Sequence, residues 1–486
     1  MGLSRTESLA RLREREFDLL VIGGGITGAG IAQDAALRGL EVGLVEKTDF
    51  AAGTTHSSSK LLHGGLRYLE QFHLELMYEA LHERNRLIGL APELAEWLPF
   101  ILPIYRRGWS SLRLRIGLTL YDLLAGRPKG RTHRRISRAR ALELAPYLDR
   151  RGLKGALLYY DARTSDTRLT LAVLRSAAIA GAAITNYTEV IDFTSSEGHL
   201  TGARVRDRLT GAEFEVRART VVNATGVWAD QIAHLADPDS PSRLVPSKGV
   251  HLVFRAERLG IEPSDFPSAA AVFAPTPQGD GRYLFVIPWQ GLVLIGPTDT
   301  PYAGDPDQVG VEDDDIDYIL TAANGLYPDL GLTHSDIVST LVGLRPLIGS
   351  EGESTSKISR EHEVWEGPSG LISIAGGKLT TYRTMAIGVV DRILRRLGLD
   401  PIPSVTAETP LPDPSPYRYE GGSSAIERPT REEILYSAAE EMAIYPDDFL
   451  CRRTSLGIRA PELAAEIRDE IGEILADYRQ SRVAPE

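Results

Sequence analysis

The chain has one cysteine, Cys451, in 486 residues. A single thiol excludes an intrachain disulfide and any cysteine-built metal or iron–sulfur site, and no metal is expected. It fits a reducing compartment. No uninterrupted apolar run reaches the length that crosses a bilayer, and the N-terminus lacks the apolar core of a signal peptide. A cytoplasmic chain is therefore expected. The opening Met1-Gly2-Leu3-Ser4-Arg5-Thr6 fits a permissive myristoylation pattern and is read as chance. The formal net charge of −12 leaves no surplus positive charge for nucleic acid, and no such partner is expected. Hydrophobic residues make up 43 %, enough for about two or three packed domains at this length.

Against that acidic background, residues 106–140 carry eleven basic side chains and one acid, Asp122. Trp109, Leu112, Leu114, Ile116, Leu118, Leu120, Tyr121 and Leu123 are interleaved with the first half. A solvated loop and helix would account for this. So would a segment lying on anionic lipid, and charge pattern alone does not separate the two.

Phe17–Ile22 is a short apolar run ending at glycines, as a buried parallel strand would be. The residues from Ile26 to Arg38 are small and apolar, suited to a helix packed on a sheet, and a second strand is expected over 41–46. Gly23-Gly24-Gly25-Ile26-Thr27-Gly28 joins the first strand to the helix as G-x-G-x-x-G. Gly23 permits the tight turn, Gly25 lets backbone approach a pyrophosphate, and Gly28 lets helix and strand close up. The helix N-terminus offers free N–H groups to the phosphates, and Glu46 stands where a carboxylate binds ribose hydroxyls. This unit opens a doubly wound α/β fold. Two later strand ends, Asn223-Ala224-Thr225-Gly226 and Ala375-Gly376-Gly377-Lys378, also suit close cofactor approach. A long, extended flavin dinucleotide fits three such ends better than a nicotinamide one.

Helices are expected near 73–90, 169–180 and 381–397, and a hairpin over 200–217 turning at Leu209-Thr210-Gly211. Strand-like runs dominate 244–297 and suggest an inserted β-rich domain. A Pro-rich linker at 401–416 precedes helices at 431–442 and 461–478.

Together the motifs resemble the FAD-dependent, aerobic, quinone-linked glycerol-3-phosphate dehydrogenases. The resemblance rests on residues 23–30, Ser57-Ser58-Ser59-Lys60-Leu61-Leu62-His63-Gly64-Gly65-Leu66-Arg67-Tyr68-Leu69-Glu70, Asn223-Ala224-Thr225-Gly226, Lys248-Gly249-Val250-His251, Gly343-Leu344-Arg345-Pro346 and Gly376-Gly377-Lys378-Leu379-Thr380-Thr381-Tyr382-Arg383. It spans about 17–397, with a weaker helical match beyond. It implies a glutathione-reductase-like FAD domain, an inserted β-rich substrate cap and a C-terminal helical domain. The expected boundaries are 17–100, 145–240 and 340–397 for the FAD domain and 101–144 for the basic, lipid-contacting segment. The cap is expected at 241–339 and the helical domain at 411–486. Val250 departs from the family, which usually has serine there.

The implied reaction is oxidation of sn-glycerol 3-phosphate to dihydroxyacetone phosphate, with hydride transfer to the FAD N5 and electrons passed to membrane quinone. The alternatives are an oxidase passing electrons to O2 and an FAD-dependent amine or amino-acid oxidase of the same superfamily. The resemblance assigns substrate contacts to Arg67, Tyr68, His251, Arg345, Arg360 and Lys378. It makes His251 the base, with Arg345 and Lys378 also catalytic. Cofactor contacts are expected from Gly23, Gly25, Ile26, Thr27, Gly28, Glu46, Ser58, Ser59, Leu62, Gly64, Gly65, Ala224, Gly226, Gly377, Lys378, Leu379 and Thr380. The enzyme would sit at the inner face of the membrane, bound to its anionic surface, with homodimerisation left open. An arginine among apolar neighbours, as at Arg345, needs an anion partner. A structural carboxylate could serve as well as substrate.

Overall fold

The computed structural model describes residues 3–66, 73–105, 109–126, 131–349, 361–412, 416 and 427–482. Arg67, Tyr68 and Arg360 lie outside the described residues.

The glycine-turn unit forms as its local sequence dictates. Strand Leu19–Ile22 is buried throughout and leads through Gly23 into helix Ile26–Leu37. That helix buries ten of its twelve residues, because alanine and glycine let it press on the sheet. A Cβ on Gly28 would fall 2.0 Å from the Gly23 carbonyl oxygen, so only glycine fits there. The six-stranded sheet runs His362–Glu366, Ile372–Gly376, Val221–Asn223, Leu19–Ile22, Val42–Val45, Ala183–Thr185. All neighbours are parallel except the first pair. Helices Ile26–Leu37, Asp166–Ile179 and Tyr382–Arg396 pack on it through a core that includes Ile31, Leu44, Leu171 and Val389. The expected hairpin forms from His199–Asp207 and Glu213–Ala218, within a separate four-stranded sheet.

The second large sheet corrects the expected boundaries. It has ten strands, and its strands at 247–255, 271–275, 283–289, 292–296 and 300–301 come from the span assigned to the cap. Leu61–Leu62, Ala95–Pro103, Arg134–Ile136 and Ala156–Thr164 belong to it too, and Ile337–Arg345 carries it past residue 339. The strand at 95–103 pairs antiparallel with 156–164, Leu98 facing Asp161. The cap is thus threaded through the first half of the chain rather than inserted once.

Nor is 101–144 a separate unit. Its start lies in the strand Ala95–Pro103, and Arg134–Ile136 pairs with Ala156–Leu158. Helix Trp109–Leu124 packs Leu118 and Tyr121 into the core with Phe100 and Tyr159. Leu118 and Tyr121 are therefore not available to lipid. Among the described side chains of this helix, the exposed large apolar ones are Leu114, Ile116 and Leu123. The lone acid, Asp122, accepts hydrogen bonds from the backbone N–H of His133 at 2.8 Å and from its ring at 2.6 Å.

Beyond the linker, helices Arg431–Glu441 and Pro461–Arg482 pack around Phe449, Leu450 and Ile467.

Candidate functional site

A cleft of about 800 Å³ opens at the carboxyl ends of the parallel strands, where doubly wound folds bind their ligands. Gly23, Gly25, Ile26, Thr27, Glu46, Ser58, Ala224, Gly226, Gly377, Lys378 and Leu379 line it. The other expected cofactor residues stand behind that wall. Gly28 seals helix to strand, and Leu62 is in the core. Gly64 donates its backbone N–H to the Tyr121 hydroxyl at 3.0 Å, beside Gly65. Thr380 accepts from the His63 N–H at 3.2 Å, and Ser59 turns to His251.

The residues present fit a dinucleotide. A Cβ on Gly25 would meet only the Thr55 hydroxyl, at 3.4 Å, so the fold itself leaves this position open toward the cleft. Thr55 accepts a hydrogen bond from the Ile26 N–H at 3.2 Å, at the helix N-terminus. Glu46 is half-buried, and its carboxylate accepts from the N–H groups of Gly24 at 2.7 Å and Thr48 at 2.9 Å. Burial pushes its pKa upward, and those hydrogen bonds oppose the rise. Gly376 and Gly377 follow in the left-handed region, at φ 79° and 76°. A Cβ on Gly377 would meet the Met385 sulfur at 2.4 Å. The two glycines thereby turn Lys378 into the cleft.

The second sheet meets this cleft along one face. In strand Ser247–Arg255, Ser247, Gly249 and His251 alternate onto it. Their partners across strand Ile337–Arg345 are Arg345, Gly343 and Leu341. Facing glycines leave a hollow. The loop at 54–59 enters it: Thr54 bonds the Leu344 carbonyl at 2.6 Å, Ser57 lies against Gly343, and Ser59 Oγ bonds His251 Nε2 at 2.9 Å. His251 is buried, and burial, then Arg345 and Lys60, lower its pKa to about 3. Val250 points the other way, into the core with Leu252 and Ile101, so its difference from serine does not touch this face.

Arg345 donates to the Thr298 carbonyl at 3.0 Å and lies 3.5 Å from the Asp299 carboxylate. A structural anion partner is therefore present. Lys248, one residue away from the shared face, is tied to Glu312 and Asp315 instead.

Some cleft residues had no sequence signal. Trp228 lies under the Lys47 ammonium, 4.3 Å from its ring centroid. Thr188, Glu189 and Val190 come from the four-stranded sheet. Tyr445, Asp447, Asp448 and Arg452 come from the C-terminal helical region.

A family model described as FAD dependent oxidoreductase matches residues 18–383. A second, the C-terminal domain of alpha-glycerophosphate oxidase, matches 419–482. The chain is 42 % identical to the aerobic glycerol-3-phosphate dehydrogenase of Bacillus subtilis, over 82 % of this chain and 70 % of that protein. The Staphylococcus aureus enzyme of the same name is also 42 % identical, over 80 % and 69 %. The glycerol-3-phosphate dehydrogenase structure from Bacillus halodurans, complexed with FAD, superposes with a TM-score of 0.77 at 30 % identity, covering 98 % of this chain and 95 % of that one. The chain belongs to the FAD-dependent oxidoreductases and, within them, to the aerobic glycerol-3-phosphate dehydrogenase family.

Proposed function

We propose that the chain oxidises sn-glycerol 3-phosphate to dihydroxyacetone phosphate at the junction of cleft and second sheet, and passes the electrons to membrane quinone. The observation that carries this reading is the single face bearing His251, Gly249, Gly343 and Arg345, closed against the loop at 54–59, with Gly343, Ser57 and Lys378 all lining the one cleft. FAD, bound along the cleft, supplies the hydride acceptor at N5. The chain supplies the rest. Arg345 suits a bidentate grip on phosphate oxygens, with Lys378 as a second cation. Arg67, Tyr68 and Arg360 remain expected contributors.

His251 is the proposed base for the substrate hydroxyl. With a pKa near 3 it is neutral at physiological pH, so it can accept a proton. Its basicity is poor until the site fills. A phosphate dianion against Arg345 offsets one of the charges that depress it, so substrate binding itself makes the imidazole a better acceptor.

Among the described residues, no helix is long and apolar enough to cross a membrane. Access to quinone is proposed through surface contact at the inner face. Helix Trp109–Leu124 exposes Leu114, Ile116 and Leu123, and the neighbouring helix Leu74–Leu90 exposes Leu74 and Tyr78. Arg115 stands exposed between two of them.

The test is the spectrum of the purified protein under anaerobic conditions. Glycerol 3-phosphate should bleach the oxidised flavin, and quinone should restore it. No bleaching would overturn the substrate. Restoration by oxygen at a rate matching turnover, with quinone inert, would make the chain an oxidase.

A further inference from the structure

The far end of the cleft is walled by a segment that begins beyond the linker. Tyr445, Asp447, Asp448 and Arg452 reach it from a turn and a short π-helical stretch, Asp448–Arg453. Two anchors hold that stretch. Arg453 is fully buried and pairs with Asp49, just past the second strand of the dinucleotide unit, its Nη2 2.9 Å from Oδ1. Asp448 accepts the Tyr187 hydroxyl at 2.7 Å, and Tyr187 packs edge-on against Tyr445 at 5.1 Å. Burial alone would raise Asp49, but Arg453 and Arg452 outweigh it and hold the carboxyl down at about 2.

Arg452 differs from Arg453 in where it points. Its Nε donates to Asp49 at 2.5 Å and its Nη2 to Asp448 at 2.6 Å. Nη1 makes no hydrogen bond among the described residues, and the side chain forms part of the cleft wall. Ala51, two residues past the Asp49 that Arg452 pairs with, donates its N–H to the Gly24 carbonyl at 3.0 Å, in the turn that leads into the helix capped by Thr55. The charge of Arg452 is felt by the neighbouring His56. Arg452 therefore stands on the side of the cleft where a pyrophosphate would meet that N-terminus. The cleft lining carries six carboxylates, Glu46, Asp49, Glu189, Asp307, Asp447 and Asp448, against the side-chain cations Lys47, Lys378 and Arg452. Lys47 turns its ammonium to both oxygens of Asp307, at 2.8 and 2.9 Å, and to the Trp228 ring, whereas Arg452 keeps a planar fork with Nη1 left over from its two carboxylates.

We propose that the C-terminal helical segment is part of the flavin-nucleotide site, with Arg452 presenting Nη1 to the FAD pyrophosphate while Arg453–Asp49 holds the segment in place. FAD binding and docking of this segment then stabilise one another, because a ligand that binds only the docked form favours it by mass action. This rests on the dinucleotide lying along the cleft as proposed above. The position gives Arg452 no contact with the substrate end, so its loss should affect cofactor retention before turnover.

The experiment uses the full-length chain, with FAD and after its removal. Hydrogen exchange is followed at 442–459, and FAD release is followed by recovery of free flavin fluorescence. In the parent, FAD should slow exchange at 445–453. Arg452→Met should release FAD at least about ten-fold faster, the loss expected of one charge-assisted contact. Arg452→Lys should recover part of it. The thermal shift produced by FAD should shrink in Arg452→Met by more than the stability of the FAD-free chain falls, which a merely structural arginine would not do. Release at the parent rate overturns the proposal, as does exchange at 445–453 that ignores FAD in the parent. Should Arg452→Met fail to fold, the parent exchange result decides. Gly25→Val tests the cofactor placement separately: if it sheds FAD while Arg452→Met keeps it, only the present inference fails.

Discussion

A Cβ on Gly249 would fall 2.5 Å from Arg345 Nη2 and 2.9 Å from its Cζ. The guanidinium thus occupies the space a side chain at 249 would take. Gly249→Ala should displace Arg345 without touching the cleft. Flavin content should stay normal while kcat/KM for glycerol 3-phosphate falls on the order of ten-fold. Arg345→Ala should cost more, on the order of a few kcal/mol in transition-state binding. Steady-state kinetics on both variants checks this. Parent-like kcat/KM in Arg345→Ala would remove it from the phosphate site.

Gly25 offers the converse case. Its only neighbour for a Cβ is the Thr55 hydroxyl at 3.4 Å, so Gly25→Val should fold. The added methyls would occupy the path of the pyrophosphate. The expected product is folded, colourless protein, checked by circular dichroism and the visible spectrum. A folded variant with full flavin content would show that the dinucleotide lies elsewhere.

The difference between Gly25 and Arg452 shows what a sequence can reveal. The glycine turn, its strand and its helix are contiguous, and Glu46 closes on Gly24 only 22 residues away. Local spacing carries that site. Arg452 reaches Asp49 across 403 residues, and nothing near either position announces the other. The second sheet was half hidden for a related reason. Pro99 and Pro103 interrupt the strand Ala95–Pro103, and its burial does not alternate, so neither period nor composition marks it. Its partner, Ala156–Thr164, lies beyond two intervening helices and a short strand. His251 was found only through resemblance. A lone histidine in a strand carries no chemistry until Ser59 and Arg345 are placed beside it.

Buried His251 and half-buried His56 set a pH dependence of stability. Burial, then nearby cations, lower His251 from 6.5 to about 3, and burial is the first cause that lowers His56 to about 4. Unfolded, both would protonate near 6.5. Between those limits the unfolded chain binds more protons, so stability is full above the unfolded value and falls as pH drops below it. Each histidine contributes on the order of a few kcal/mol at most. His251 faces Arg345 and Lys60, so His251→Gln removes a group that resists protonation. Denaturant unfolding of the parent should lose stability between pH 6.5 and 4, and the variant should lose less. Parallel curves would mean that His251 is not held neutral.

The surface of helix Trp109–Leu124 carries the last prediction. Burial of Leu118 and Tyr121 fixes which side of the helix faces the protein, and so fixes what is left outside. Ile116, Leu123 and Leu114 are outside, and Leu74 and Tyr78 expose further apolar surface on the adjacent helix. Apolar side chains at a headgroup boundary bind weakly alone. Each nearby basic residue adds about 1 kcal/mol at an anionic leaflet, and salt screens that part. The two contributions predict different losses in vesicle co-sedimentation. Arg115→Glu should weaken binding to anionic vesicles and flatten its salt dependence. Ile116→Ser with Leu123→Ser should weaken binding to anionic vesicles at low and high salt alike. Neither variant touches His251, Arg345 or the cleft, so turnover with a water-soluble acceptor should be unchanged while turnover with membrane quinone falls. If the parent ignored anionic vesicles at low salt, the exposed leucines and isoleucine would need another partner, and quinone would have to be reached by another face.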